Sequence, residues 1–506
     1  MSALRIGIDV GGTNTDAVLL GAAGELLART KTPTTEDPID GIAKALGAVV
    51  GTHASEVSTV SLGTTHALNA ILRRRELGRV AVLRLAGPAT QSVQPFAGWP
   101  TDLRAAIDGG AWIVRGGVEI DGRVHPLDVD EVRGVLAQCT DVDGIAIAGS
   151  FSLQDPVQEW EAAALVREVL GPDMPISLGH QVGGIGLLER ENAAILNASL
   201  GGIVGGVIDA FVDALATHGI VGTPYLTQND GTLMSVEQAR ALPVLTIGGG
   251  ASNSIRGAGV LTGLADALVI DVGGTSTDVG ALAQGFPRES AFGVELGGVQ
   301  TNFRMPDVVS VALGGGTIIG AAGELGPESV GYRLLEQARV FGGEVLTMSD
   351  CAVAAGRAAM GDAGLLGDAV WPEVLASADL LVADAIDRMK LTRGDVPVVL
   401  VGGGSAILPA TLAGASELLR PADFDVANAI GAAVGLVSGD AEHVLNLGGD
   451  REAGIEAVRS DAAARALLAG ADPARLETIR IDEVSLAYTD PPMSRLRVKV
   501  AGPPLS

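Results

Sequence analysis

Cysteine is almost missing from this chain: Cys139 and Cys351 are the only two in 506 residues. Two isolated thiols supply neither a disulfide framework nor a zinc-ligand pattern, and a reducing cytosol fits such a sequence. Aromatic residues make up 3%, so the core must be built from Ala, Val, Leu and Ile. Positive charge is scarce, with 34 Lys and Arg against 60 Asp and Glu and a formal charge of −26. That balance argues against nucleic acid and anionic membranes as partners, since both require a basic surface. Long unbroken apolar runs are missing too. The most membrane-like stretch, Ala193 to Ala216, is interrupted by Asn197, Ser199, Asp209, Asp213 and paired glycines, and reads as buried helices rather than a span. No basic segment followed by an apolar one precedes the strand pattern that starts at Leu4, so no secretory leader is expected. A cytoplasmic protein of two or three domains is the expectation.

Glycine, by contrast, is abundant at 71 residues, which with the aliphatic core suits an α/β protein with many tight turns. Two glycine-centred stretches are nearly identical: Asp9-Val-Gly-Gly-Thr-Asn-Thr-Asp16 and Asp271-Val-Gly-Gly-Thr-Ser-Thr-Asp278 agree at seven of eight positions. Each lies between two apolar strand patterns and reads as a β-hairpin with a glycine-rich tip. Glycine permits φ > 0 and a close backbone approach, so Gly11-Gly12 and Gly273-Gly274 are expected to aim backbone N–H groups at an anion such as phosphate. Thr13, Asn14, Thr15, Thr275, Ser276 and Thr277 would add side-chain donors. The flanking Asp9, Asp16, Asp271 and Asp278 would repel bare phosphate, so they call for a cation, and hydrated Mg²⁺ takes hard oxygen ligands of this kind. A single hairpin of this composition is as readily an ordinary turn; the duplication is what favours two phosphate grips.

Around the hairpins, strand and helix patterns alternate. A helix is expected from Asp37-Pro38, a short strand at 59–62, a helix opening at Gly63-Thr64-Thr65-His66 and ending in Arg73-Arg74-Arg75, and further strands and helices to 178. After the second hairpin come Leu313-Gly-Gly-Gly-Thr317, a helix over 376–390, and a buried strand, 396–401, running into Gly402-Gly403-Gly404-Ser405. The tail reads as a helix near 461–468 and two strands separated by Asp490-Pro-Pro. These signals divide the chain into an N-terminal lobe, 1–188, a second lobe, 189–439, and a small C-terminal α/β segment, 440–506.

Two Asp-bearing hairpins in matched halves, followed by a late strand–Gly-Gly-Gly turn, resemble the actin, Hsp70 and sugar-kinase superfamily. That resemblance implies two ribonuclease-H-like lobes with ATP in the cleft between them and Gly402, Gly403 and Gly404 beside the adenosine. A narrower resemblance covers most of the chain. Ile8 to Thr13, Leu62-Gly-Thr-Thr-His-Ala-Leu-Asn-Ala70, Ser177-Leu-Gly-His180, Leu188-Glu-Arg190 with Leu196-Asn-Ala198, Thr227-Gln-Asn-Asp-Gly231 and Glu295-Leu-Gly-Gly298 look like the hydantoinase/oxoprolinase family. It implies that ATP phosphorylates the carbonyl oxygen of a cyclic amide such as a hydantoin or 5-oxoproline, after which water opens the ring. Carboxylase relatives phosphorylate a ketone. A second hydrolase subunit is the expected protein partner, and assembly with further copies of the chain is compatible with the sequence. Three segments depart from the family pattern. Val309 stands where a His is common, Gly248-Gly249-Gly250 replaces a Ser-Gly-Pro-type turn, and a Pro-Gly-Pro beyond Ser329 is missing.

Asp9 and Asp271 are the candidate holders of the Mg²⁺ shell and, with Thr65 and His66, the candidate catalytic residues. Thr64 to His66 open a helix, whose N–H groups and dipole favour an anion, although Thr64 equally suits a plain N-cap. His180 is a candidate for orienting substrate or a structural histidine, and Glu189 and Arg190 are either cleft residues or exposed helix charges. A small-metabolite kinase of the same fold and an ATPase switch acting on a partner protein remain alternatives to the hydrolase. His53, His125, His218 and His443 fit no pattern.

Overall fold

The computed structural model describes residues 4–505 apart from 13, 34–37, 120, 291–292, 368–370, 449, 488 and 490–491. Thr13, Asp37 and the turn at Asp490-Pro491 therefore lie outside the described residues. In chain order the strands are β1 (Leu4–Val10), β2 (Asn14–Leu20), β3 (Leu26–Pro33), β4 (Val57–Thr64), β5 (Val80–Gly87), β6 (Asp108–Arg115), β7 (Gly144–Gly149), β8 (Ile176–Leu178), β9 (Thr223–Thr227) and β10 (Leu233–Ser235). There follow β11 (Ala267–Val272), β12 (Thr277–Ala283), β13 (Phe286–Pro287), β14 (Val294–Leu296), β15 (Val299–Thr301), β16 (Val308–Val311), β17 (Thr317–Ile319), β18 (Leu325–Ser329), β19 (Val396–Val401) and β20 (Ala415–Leu419). The chain closes with β21 (Val437–Leu445), β22 (Glu477–Leu486) and β23 (Met493–Gly502).

The repeat seen in the octapeptides extends to topology. In the first half the order β3-β2-β1-β4-β9 pairs β1 antiparallel to β2 and parallel to β4, with β9 parallel beyond it. In the second half β13-β12-β11-β19-β20 repeats that order and sense, with β16 also pairing on β12. Two ribonuclease-H-like lobes of an α/β fold result, as the hairpins imply. β1 buries Leu4, Ile6, Ile8 and Val10 against the helix Pro38–Val50, and β11 buries Leu268, Ile270 and Val272 against the helix Pro372–Met389. The apolar alternation of each central strand thus sets which face carries its aspartate.

Pairing crosses the cuts read at 188 and 439. β9 and β10 join the first sheet, and β21, β23 and β22 extend it to nine strands. Buried charge reinforces this extension: Arg497 lies between Asp440 and Glu289, 2.6 Å from the latter, and Lys499 pairs with Asp230. Between β4 and β9 the chain builds a separate four-stranded parallel sheet, β6-β5-β7-β8. It returns through the helices Leu187–Ser199 and Gly201–Thr217, bent 47° to each other. No single helix among the described residues is long and apolar enough to cross a membrane.

Two helices join the lobes. The helix Gly249–Thr262 and the short helix Ala427–Ala433 cross where a Cβ on Gly431 would stand 2.7 Å from the Asn253 carbonyl carbon and 2.9 Å from Gly257 N. Ala427 belongs to the core of the second sheet with Val399 and Val401, while Ala429, Ile430 and Ala433 pack on Val18 and Leu20 of the first. Close glycine packing holds this crossing against both sheets.

Candidate functional site

Both hairpins place their first aspartate at the same structural position. Asp9 pairs in register with Asp16 and, across the parallel strand, with Gly63; Asp271 pairs with Asp278 and Val401. At each tip a glycine N–H closes the turn, from Gly11 to the Asn14 oxygen at 3.0 Å and from Gly273 to the Ser276 oxygen at 2.9 Å. The aspartates then meet at one amide: Asn428 Nδ2 lies 3.4 Å from Asp9 Oδ2 and 3.4 Å from Asp271 Oδ2. Asn253 Nδ2 donates to Asp9 Oδ1 at 3.2 Å, and the Ser254 hydroxyl donates to Asp271. Each helix that joins the lobes thus contributes donors to the carboxylates of the cleft. Neither Asn253, Ser254 nor Asn428 was singled out from the sequence, because small polar residues within a helix carry no local motif.

Glycine serves space here more than backbone torsion. Gly11, Gly12 and Gly273 do not adopt positive φ, contrary to expectation, whereas Gly402 does, at φ 82°. A Cβ on Gly402 would strike Asp271, and one on Gly63 would lie 2.6 Å from Asp9 Oδ1. Each aspartate is therefore walled by a glycine from the neighbouring parallel strand or the turn after it. Gly404 N donates to the Val272 oxygen at 2.8 Å, which seats the Gly402–Gly404 turn on the second hairpin, with Gly403 exposed above it. The 313–317 segment clamps that hairpin from the other side, through Gly315 N to Gly273 O (3.0 Å) and Gly316 N to Gly274 O (2.7 Å). Gly12 faces open space.

The threonines divide in two. Thr275 is exposed at its tip, and Asn14 and Ser276 are half-buried. Thr15 is instead buried under Gly41, and Thr277 donates to the Leu313 oxygen at 2.6 Å. Strand alternation turns these two hydroxyls into the core, so they are not phosphate donors as expected. Thr65 N and Oγ1 both reach the Val10 oxygen, at 3.2 and 3.3 Å, and Thr64 Oγ1 lies 2.9 Å from His66 Nδ1. The start of the helix His66–Arg73 is thereby fixed to the end of β1, beside the first hairpin.

Burial pushes the Asp9 carboxyl above its ordinary range, with the amides of Asn253 and Asn428 offsetting only part of it. Asp271 is raised for the same reason, with Ser254 opposing. Asp16 rises to about 6 although Lys31 opposes the effect of burial, and Asp278 rises to about 6 with only Ser310 against it. Four carboxyls thus lie close together with one ammonium, Lys31, paired to Asp16 among them, an excess of negative charge that favours a further cation. Among the described residues no three His, Cys, Asp or Glu side chains form a ready metal cage.

The substrate-side candidates lie at the carboxyl ends of the four-stranded parallel sheet. His180 Nδ1 is 2.6 Å from Glu159 Oε2, which also accepts from His180 N at 3.1 Å, while Glu159 Oε1 accepts from Gly149 N at 2.8 Å. Burial raises Glu159, yet the His180 contact, Ser152 and Gly149 outweigh it and hold the carboxyl below its usual range. Such a partner fixes the imidazole with Nδ1 as donor and leaves Nε2 as an acceptor. Arg190 is buried, and its guanidinium donates to the oxygens of Gly149 (2.6 Å), Gly184 (3.1 Å) and Gly186 (3.5 Å). Its two Nη atoms are taken up by main-chain carbonyls, which ties the side chain to the 183–186 loop. Glu189 is half-buried beside that loop. Val309 sits on β16 opposite Val279 and packs with the second core.

Residues 5–170 match the family model for the hydantoinase/oxoprolinase N-terminal region, and residues 190–362 match the hydantoinase/oxoprolinase model. The chain belongs to the hydantoinase/oxoprolinase family. Both octapeptides fall inside the matched segments, as do Gly149 and Glu159, whereas His180 lies in the break at 171–189. The gamma subunit of acetophenone carboxylase from Aromatoleum aromaticum is 28% identical over 391 residues, covering 69% of this chain and 53% of that protein. The alpha subunit of caprolactamase from Pseudomonas jessenii is 27% identical over 475 residues, covering 85% of this chain and 65% of that protein. The chain thus spans about half to two thirds of the length of these curated relatives. The solved ATP-dependent caprolactamase from Pseudomonas jessenii shares the fold, with a TM-score of 0.77 at 20% identity over 99% of this chain and 88% of that one.

Proposed function

We propose that this chain is the nucleotide-binding subunit of an ATP-dependent enzyme that phosphorylates the carbonyl oxygen of a cyclic amide, such as a hydantoin or 5-oxoproline, so that the ring can be hydrolysed. The observation that carries the reading is the Asn428 amide touching both Asp9 and Asp271, which brings the two duplicated hairpins to one point. A nucleotide between them would meet backbone N–H groups from both lobes and the exposed Gly403 turn. Two neighbouring carboxylates suit Mg²⁺, which commonly takes one or two carboxylates and completes its shell with water and phosphate oxygens. Bound there, the ion would neutralise charge on the transferring phosphoryl group. Amide oxygen is a poor leaving group, and phosphorylation converts it into a good one. The names of the relatives, a lactamase subunit and a ketone carboxylase subunit, share a carbonyl as the reacting group. Both are subunits of larger enzymes, which supports a partner hydrolase subunit.

On the substrate side, His180 Nε2 is the accepting group that Glu159 leaves available. The test is to incubate the protein with Mg²⁺ and ATP and a panel of hydantoins, 5-oxoproline, lactams and ketones, with and without its partner subunit. ADP release stimulated by one cyclic amide, with ring-opened product once the partner is present, is the expected outcome. A stable phosphorylated metabolite would favour a kinase instead, and turnover stimulated by protein alone would favour a switch.

A further inference from the structure

β3 carries Arg29 and Lys31 two residues apart, hence on one face, and both reach the segment 423–425. Arg29 is taken up by carboxylates, pairing with Asp423 at 2.9 Å and Asp425 at 2.8 Å. Lys31 is placed differently. Its Nζ donates to Asp16 Oδ1 and Oδ2 at 2.9 and 2.7 Å and to the Asp425 main-chain oxygen at 2.9 Å. Its Cε lies 3.6 Å from where a Cβ on Gly403 would stand. One ammonium therefore sits between the first hairpin, the late glycine turn and the 423–425 segment, and its charge acts on Asp9, Asp16 and Asp271 alike.

A cleft that transfers a phosphoryl group needs positive charge near the outer phosphates, and here the hairpins present carboxylates. We propose that Lys31 is the protein's cation for the outer phosphates: on nucleotide entry its ammonium exchanges Asp16 for phosphate oxygen while keeping the Asp425 carbonyl. The inference rests on the nucleotide reading above. Lysine suits the role because a compact charge on a flexible stem can change partners without rebuilding its surroundings. The competing role is a tether that neutralises Asp16 and pins β3 to 423–425.

Calorimetric affinities for Mg²⁺·ATP and for ADP, together with kcat and KM for ATP turnover, separate the two roles in Lys31→Met, Lys31→Arg and Lys31→Met/Asp16→Asn. The ATP-over-ADP affinity ratio is insensitive to a uniform loss of stability. A phosphate cation predicts that Lys31→Met lowers that ratio at least tenfold and kcat at least a hundredfold. Lys31→Arg should recover part of both, and adding Asp16→Asn should recover neither. A tether predicts equal losses for ATP and ADP and recovery in the double variant, which would overturn the proposal. If the wild-type protein binds neither nucleotide, the nucleotide reading itself falls and takes this role with it. If the wild type binds both and Lys31→Met matches it, only the role of Lys31 falls.

Discussion

Replacing Gly431 with alanine tests whether the crossing of the two joining helices organises the site. The added methyl carbon would lie 2.7 Å from the Asn253 carbonyl carbon and 2.9 Å from Gly257 N, closer still to the Asn253 oxygen. All three are backbone atoms, so no side chain can swing away, and more than an ångström of helix separation, roughly 1.5 Å at the oxygen, is needed to reach ordinary contact near 3.5 Å. The opposite face has no slack, because Gly7 of β1 already meets the Ala429 backbone closely. Overpacking of this kind costs about 1–3 kcal/mol or more, against about 1 kcal/mol gained from alanine's helix preference. Because the clash is with backbone, the net expectation lies at the upper end of that difference, a loss of up to about 2 kcal/mol in chemical denaturation. Nucleotide affinity should fall as well, since separating the helices draws Asn253 and Asn428 away from Asp9 and Asp271. Gly206→Ala is the matched control: it lies in the helix Gly201–Thr217 with nothing within 4 Å of its Cβ, and should stabilise by up to about 1 kcal/mol. Wild-type stability and nucleotide affinity in Gly431→Ala would refute the claim that this crossing holds the site.

Gly12→Ala should show the opposite profile, because its Cβ meets nothing in the protein: stability within about 0.5 kcal/mol of wild type, with Mg²⁺·ATP affinity reduced roughly tenfold or more by one displaced charge-assisted hydrogen bond. Asp278, raised from 3.8 to about 6, binds its proton more tightly folded than unfolded, so its contribution is favourable below pH 4, is lost as pH rises to about 6, and is constant above. Nucleotide-free Asp278→Asn should therefore gain up to about 3 kcal/mol relative to wild type between pH 4 and pH 6.5; a difference that stays flat across that window would contradict the assignment.

The octapeptides made the hairpins legible because phosphate-loop composition and strand alternation are local signals, and the helix expected at 376–390 is the end of Pro372–Met389. Local pattern also marked the resemblance to the family. What it could not carry was pairing at a distance. β9 and β10 fall in the segment assigned to the second lobe, yet β9 lies beside β4 and β10 beside β9, and nothing near Thr223 records that neighbour. The tail read as an appendage for the same reason, although Arg497 and Lys499, buried charges on its last strand, meet Glu289 and Asp230. Asn253 and Asn428 were silent as polar residues in helices without a recognisable motif, and become meaningful only when the crossing at Gly257 and Gly431 turns them toward the aspartates. Thr15 and Thr277 show the reverse error: motif membership suggested phosphate donors, and strand alternation points them inward.

The central claim is that one Mg²⁺·nucleotide is held by both hairpins at once. Titration calorimetry of ATP, with and without Mg²⁺, into wild type, Asp9→Asn, Asp271→Asn and the double variant addresses it directly. The account predicts one Mg²⁺-dependent nucleotide per chain, at least a tenfold loss in each single variant, and a double variant little worse than either single one, because both carboxylates serve the same ion. Binding indifferent to Mg²⁺, or affinity unchanged when either aspartate is replaced, would contradict it.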